Sequence, residues 1–269
     1  MSDLLGLNAV AAREALDKKA ISAVELTTAY LGAAEVTAGL NNYVALTADH
    51  ALAMAAESDK RIAAGAAGLL EGLPIGVKDL FCTKGISSTA CSDILKGFVP
   101  PYESTVTANL WAAGGVMLGK LNCDEFAMGS SNENSSFGPV LNSKNINCVP
   151  GGSSGGSASA VAAGLCTAAL GSDTGGSIRQ PASFTGTYGV KPSYGRISRY
   201  GLIAYASSFD QIGPFTNDIE DAALLTEITA GEDVFDATTL SQNVENYSTP
   251  GEERANLKVA VIKESFELE

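Results

Sequence analysis

Three side chains carry the types needed to cleave an acyl bond: Ser177 as a nucleophile, Ser153 as a second hydroxyl and Lys78 as a base. The serines lie in two glycine- and serine-rich clusters, Gly151-Gly-Ser-Ser-Gly-Gly-Ser157 and Asp173-Thr-Gly-Gly-Ser177. One such run alone reads as a flexible loop. Here the two clusters flank a small-residue helical stretch and an apolar segment, Thr167-Ala-Ala-Leu170, and flexible linkers do not alternate with packed elements in this way. Neither cluster holds the lysine of a phosphate-cradling loop, and the Gly-x-Gly-x-x-Gly spacing of a dinucleotide site is absent. Gly151-Gly-Ser153-Ser-Gly155 does match a Gly-x-Ser-x-Gly nucleophile elbow, which requires a histidine later in the chain. The single histidine, His50, precedes it in an alanine-rich helical stretch and reads as a surface residue. Ser-His-Asp chemistry is all but excluded.

Without a histidine, the base is a carboxylate or a lysine, and a lysine accepts a proton only when neutral. Its reference pKa of about 10.4 must fall by about 3 units, roughly 4 kcal/mol, which burial in an apolar setting can supply. Lys78 fits, as the one cation inside the apolar run Leu73-Pro-Ile-Gly-Val-Lys-Asp-Leu-Phe81. An exposed strand-end lysine paired with Asp79 fits this segment equally well. In the second cluster, Thr174, Gly175, Gly176 and Ser177 offer consecutive backbone N–H groups, with no bulky side chain on the two glycines. That is the requirement of an oxyanion hole. Pro181 suits the first turn of a following helix, which leaves Ser177 in the loop before it.

The elements that must hold these residues alternate. Ser22-Ala-Val-Glu25 reads as a capping box opening a helix, and a second helical run follows Thr47 to about Ala64, with the strand-like Tyr43–Leu46 between them. From Leu73 onward come the strand-like Ile75–Lys78, a helical Ser104–Ala113, the strand-like Val116–Leu118 and a helical Ala158–Ala163. The pattern predicts an α/β fold with a mixed, mostly parallel sheet flanked by helices. The expected organisation is one domain over residues 1–269: a helical N-terminal region to about residue 66, a catalytic core from about 67 to 230, and a polar remainder from 231 to 269 read as a surface excursion.

Composition narrows the function classes. Hydrophobic residues make up 45% and charged residues 17%, an ordinary globular balance. Five cysteines, Cys82, Cys91, Cys123, Cys148 and Cys166, form no Cys-x-x-Cys pair, so free thiols are expected and a zinc cluster is not. The net charge of −13 opposes direct binding of a phosphate backbone, so any nucleic acid is expected to be held by a partner. The N-terminus lacks the pattern of a signal or transit peptide, and no stretch is long enough to span a bilayer. A cytoplasmic protein is the expectation.

Lys78, then Gly-Gly-Ser153-Ser-Gly-Gly-Ser, then Asp173-Thr-Gly-Gly-Ser177-Ile-Arg-Gln-Pro-Ala, in that order and spacing, resemble the amidase-signature enzymes. The likeness runs from about Leu73 to Phe215. Asp124–Asn134, Gly189–Arg199 and Tyr205–Pro214 resemble the branch that supplies ammonia to tRNA-dependent amidotransferases. The resemblance implies that Ser177 forms an acyl ester with glutamine. It also implies that Ser153, preceded by a cis peptide, relays the proton to Lys78, and that the backbone around Thr174, Gly175, Gly176 and Ser177 holds the oxyanion. No cofactor is implied in this chain. ATP and Mg2+ would be used through a partner subunit, in a heterotrimer with subunits B and C. That assembly acts on misacylated Glu-tRNA(Gln), with Asp-tRNA(Asn) as a second candidate. Members of the family continue well past the position of Glu269, so the C-terminal part of the fold is expected to be missing, and the residues that contact the substrate amino acid are not identified. Two other readings stand beside this one: a stand-alone amidase acting on another small carboxamide, and a shortened, inactive scaffold that only binds partner subunits.

Overall fold

The computed structural model describes residues 4–249, 258 and 260–263. Helices α1 (Ala9–Asp17), α2 (Ala23–Val36) and α3 (Ala48–Ala63) dominate the first third, with strand β1 (Tyr43–Leu46) between the last two. The α2 boundary follows from its cap. The Ser22 hydroxyl accepts from the Glu25 N–H at 3.1 Å, and the Glu25 carboxylate accepts from the Ser22 N–H at 2.8 Å. This reciprocal pair satisfies two N–H groups that a helix start otherwise leaves open. His50 lies on an exposed turn of α3, as expected.

The core follows as β2 (Pro74–Lys78), α4 (Thr105–Ala112), β3 (Val116–Leu121), α5 (Gly155–Ala162) and β4 (Ala168–Asp173). Next come α6 (Arg179–Thr185), the two-residue β5 (Tyr188–Gly189), β6 (Gln211–Thr216) and α7 (Ile219–Thr229). The strands form one six-stranded sheet in the order β1-β3-β2-β4-β6-β5. Only its central part is parallel. Strand β2 pairs in parallel with β3 and β4, whereas β1–β3, β4–β6 and β5–β6 are antiparallel. The sheet is therefore mixed as expected, but with fewer parallel ladders than the sequence indicated. The crossover helices α4 and α5 permit parallel pairing only among β2, β3 and β4, where apolar runs alternate with helical ones.

Every residue of β2, β3, β4 and β6 is buried. Strands covered on both faces lose the alternation of polar and apolar residues that marks half-exposed ones. Against that apolar background three ionisable side chains stand out: Lys78 ends β2, Lys120 lies next to the end of β3, and Asp173 ends β4. The three strands are parallel, so all three groups emerge at one edge of the sheet, the edge beyond which open α/β sheets bind ligands.

Helix α5 begins at Gly155, three residues before the helical stretch expected from the sequence. Gly155-Gly-Ser157 is a buried first turn and not a flexible loop. A Cβ on Gly156 would stand 2.3 Å from the Asn122 carbonyl oxygen, so glycine there permits close packing of the helix on the segment after β3. The polar stretch from residue 231 is irregular and largely exposed through residue 249, as expected; most of its remainder lies outside the described residues. Among the described residues, no helix is long and apolar enough to cross a membrane.

Candidate active site

Lys78 is fully buried, and its Nζ is surrounded by three hydroxyls: Ser153 Oγ at 2.8 Å, Ser154 Oγ at 2.9 Å and Ser172 Oγ at 2.9 Å. Burial holds the Lys78 amine below its ordinary pKa, opposed by nearby Cys123, Asp124, Cys91 and Asp173. The alternative of an exposed lysine paired with Asp79 is overturned. Asp79 lies instead 3.6 Å from the second buried lysine, Lys120, and accepts the Thr89 N–H at 3.0 Å. Successive residues at a strand end project to opposite sides, which separates Lys78 from its neighbour in the chain.

The hydroxyls around Nζ differ in what they can give. Ser154 Oγ donates to the Ser172 carbonyl oxygen at 3.1 Å, so its proton is used and it can only accept from Lys78. A neutral amine has two protons and one lone pair. A deprotonated amine with its protons directed to Ser154 and Ser172 would leave its lone pair for the Ser153 hydroxyl. Ser153 is fully buried, and the Gly152–Ser153 peptide is cis, as the family resemblance implied.

Ser177 comes from the other cluster. The Ser154 N–H donates to the Ser177 carbonyl at 3.2 Å, tying the start of α5 to the loop between β4 and α6. Ser177 is half-buried and lines a cavity of about 300 Å³ shared with Ala127, Gly129, Ser130, Gly152 and Tyr205. Its loop is organised by Asp173, whose carboxylate accepts from the N–H groups of Gly176 (2.9 Å), Ile178 (3.0 Å) and Arg179 (3.2 Å) and pairs with the Arg179 guanidinium at 2.9 Å. Burial alone would raise this carboxyl; the guanidinium and backbone donors outweigh it and hold it below the ordinary carboxylate range. Thr174 Oγ1 donates to Asp210 at 2.6 Å, and Asp210 in turn accepts the N–H groups of Tyr205 and Ala206. The loop is thus held from both sides.

Of the four residues expected to offer an oxyanion site, Gly176 directs its N–H to Asp173. The N–H groups of Thr174, Gly175 and Ser177 have no protein acceptor among the described residues. A Cβ on Gly175 would meet nothing within 4 Å, so the space above these donors is open. Sequence reasoning missed Ser154, Ser172, Asp173 and Arg179. The usable signal was polar residues ending an apolar strand, Gly171-Ser172-Asp173, for which an isolated solvent-exposed strand end is the simpler explanation.

A buried serine hydroxyl on a buried lysine, at the carboxyl edge of a mixed sheet, is the arrangement that the amidase-signature resemblance implied. The Amidase family model matches residues 25–269, and the chain belongs to that family. It is 57% identical over 271 residues to the A subunit of glutamyl-tRNA(Gln) amidotransferase from Brucella suis, covering 98% of this chain and 55% of that protein. The corresponding protein of Azorhizobium caulinodans is 61% identical over 252 residues, covering 92% and 51%. Among solved structures, the A subunit from Thermotoga maritima superimposes with a TM-score of 0.72 at 40% identity, covering 90% of this chain and 49% of that one. The peptide amidase of Stenotrophomonas maltophilia gives 0.86 at 34% identity, covering 90% and 52%. The chain therefore spans about half the length of the relatives it matches.

Proposed function

We propose that this protein is the glutamine-hydrolysing subunit of a tRNA-dependent amidotransferase, with Ser177 as nucleophile, Ser153 as relay and Lys78 as base. The observation that carries the reading is the Ser153 hydroxyl 2.8 Å from a buried, pKa-lowered lysine, with the following residue, Ser154, bonded through its N–H to the carbonyl of cavity-lining Ser177. Ser177 Oγ attacks the glutamine carboxamide carbon, its proton passes to Ser153 Oγ, and the Ser153 proton passes to Lys78 Nζ. The developing oxyanion is held by backbone N–H groups of Thr174, Gly175 and Ser177, with Gly176 keeping the loop in place through Asp173. The proton on Lys78 returns by the same route to the departing ammonia, leaving a glutamyl ester on Ser177 that water then hydrolyses. High identity to the glutamyl-tRNA(Gln) amidotransferase A subunits supports glutamine as the amide and subunits B and C as partners; ATP and Mg2+ would be used by the complex through the partner subunit that activates misacylated tRNA.

The test is glutaminase turnover in the full-length protein assembled with subunits B and C. Ser177→Ala is expected to abolish turnover and acyl-enzyme formation; retained turnover removes the nucleophile assignment. Lys78→Ala is expected to lose well over tenfold, and a loss under about 1.4 kcal/mol of barrier would mean another base is used. A second reading, an amidase acting on another small carboxamide without partners, is favoured by the closer superposition on the peptide amidase than on the Thermotoga protein. Co-purification with two other subunits separates the two.

A further inference from the structure

Two carboxylates, Asp124 and Asp173, act on the Lys78 amine, and Asp173 is occupied by another cation. Asp173 pairs with Arg179 at 2.9 Å, and Asp79 lies 3.6 Å from Lys120. Asp124, just past β3, makes no ion pair among the described residues. Its Oδ2 accepts the Asn132 N–H at 3.1 Å, while its buried Oδ1 has no hydrogen-bond partner. The Asp124 N–H donates to the Ser153 carbonyl at 3.1 Å, so this residue sits against the segment that brings the relay hydroxyl to Lys78. The fit is tight. A Cβ on Gly152 would stand 2.0 Å from Asp124 Oδ2, and one on Gly129 would stand 2.4 Å from Oδ1. Both glycines line the cavity that contains Ser177. Burial raises the Asp124 carboxyl above its ordinary pKa, with the Asn132 N–H and Lys78 acting against it.

A buried carboxylate with no cation of its own is costly, and the cost falls when a positive charge appears beside it. The amidase reading above creates that charge, because each acylation converts Lys78 from an amine to an ammonium. Resting on that reading, we propose that Asp124 is the counter-charge of Lys78, a positioning residue that stabilises the ammonium formed when Lys78 takes up the nucleophile's proton. It acts through Lys78 and holds the Gly152–Ser153 segment in register. The other groups facing Lys78 are unsuited to the role: Ser153, Ser154 and Ser172 are neutral hydroxyls, Cys91 is pushed well up by burial and stays a thiol, Cys123 donates its Sγ–H to Cys91, and Asp173 is held by Arg179.

The experiment is the pH profile of glutamine hydrolysis by Asp124→Asn in the full-length assembled protein. Removing the negative charge makes the Lys78 ammonium harder to form. The acid limb of kcat/KM is expected to move down by about one pH unit, and kcat to fall ten- to a hundredfold, on the order expected for a lost charge and a weaker base. KM for glutamine should stay within about threefold of wild type, as for an interaction made only in the transition state. A merely structural role would lower activity without moving the limb. Asp124→Ser, which keeps an acceptor for the Asn132 N–H, is read in the same way if the first variant does not fold. A folded variant with an unmoved acid limb, or with wild-type kcat, overturns the proposal. Ser177→Ala run alongside separates the two levels: turnover in it removes the underlying nucleophile assignment, whereas an inert Ser177→Ala with an unmoved Asp124→Asn limb removes only the counter-charge.

Discussion

Around Lys78 Nζ, the identity of each neighbour matters more than the number of contacts. Of the two carboxylates that act on Lys78, Asp173 is occupied by Arg179 and Asp124 makes no ion pair among the described residues. Burial in this pocket of hydroxyls lowers the amine from its ordinary pKa. Gly152 is the residue on which this geometry turns. A Cβ there would meet the Asp124 Oδ2 at 2.0 Å and, behind that side chain, the backbone N of Ser131 at 2.9 Å and of Asn132 at 3.0 Å. Gly152→Ala is expected to reduce kcat by about a hundredfold, the cost of displacing a reacting group by about 1 Å. Steady-state kinetics together with an unchanged far-UV spectrum would check it; a variant with near-normal kcat would show that Ser153 tolerates the shift. The Gly-Ser clusters disclosed Ser153 and Ser177 to a reader of the sequence. Ser154 and Ser172 stayed hidden, because nothing in the chain says which serine side chains converge on one nitrogen.

At the scale of elements, the loop between β4 and α6 is fastened at two points. Asp173 collects three backbone N–H groups below it, and Asp210, at the entry to β6, holds Thr174 and the Tyr205–Ala206 backbone. Asp210→Ala is expected to free Tyr205 from the cavity wall. Amide exchange at Tyr205 and Ala206 should accelerate, and KM for glutamine should rise more than kcat falls; unchanged exchange would mean that other contacts order this segment. The helix caps lie further from the chemistry. Ser22→Ala removes one half of the α2 capping box and is expected to cost about 1 kcal/mol, seen as a lower denaturation midpoint with kcat unchanged. The first two long helices and the strand between them were legible in the sequence, because their caps and periodicity are local. The start of α5 was not, since Gly155-Gly-Ser157 carries the composition of a loop and becomes helical only through close packing on Asn122 and Asn132.

For the whole molecule, the two buried lysines impose a pH dependence. Burial lowers both Lys78 and Lys120 from their ordinary values, whereas the unfolded chain keeps them near about 10.4. Between the folded and unfolded values the unfolded state binds more protons, so stability rises with pH across that interval and falls as pH drops. Lys78→Met is expected to flatten this rise while abolishing hydrolysis. Urea titrations between about pH 6 and pH 9 would measure it. An identical slope in the variant would mean that Lys78 remains charged in the folded protein.

The chemistry was written locally: a serine in each glycine cluster, a lysine in an apolar strand and no usable histidine. These residue types in that order resembled the family, and it was the resemblance that suggested a nucleophile, a relay and a base. The fold class was legible for its own reason, since alternating strand-like and helical runs leave few ways to cover a sheet. Which groups meet each buried lysine was not legible. Lys78 and Lys120 both sit in apolar strands next to acidic neighbours, and only the parallel pairing of β2 with β3 and β4 assigns Asp79 to Lys120 and three hydroxyls to Lys78. That assignment depends on a charge's distance to groups remote in sequence, which folding alone establishes.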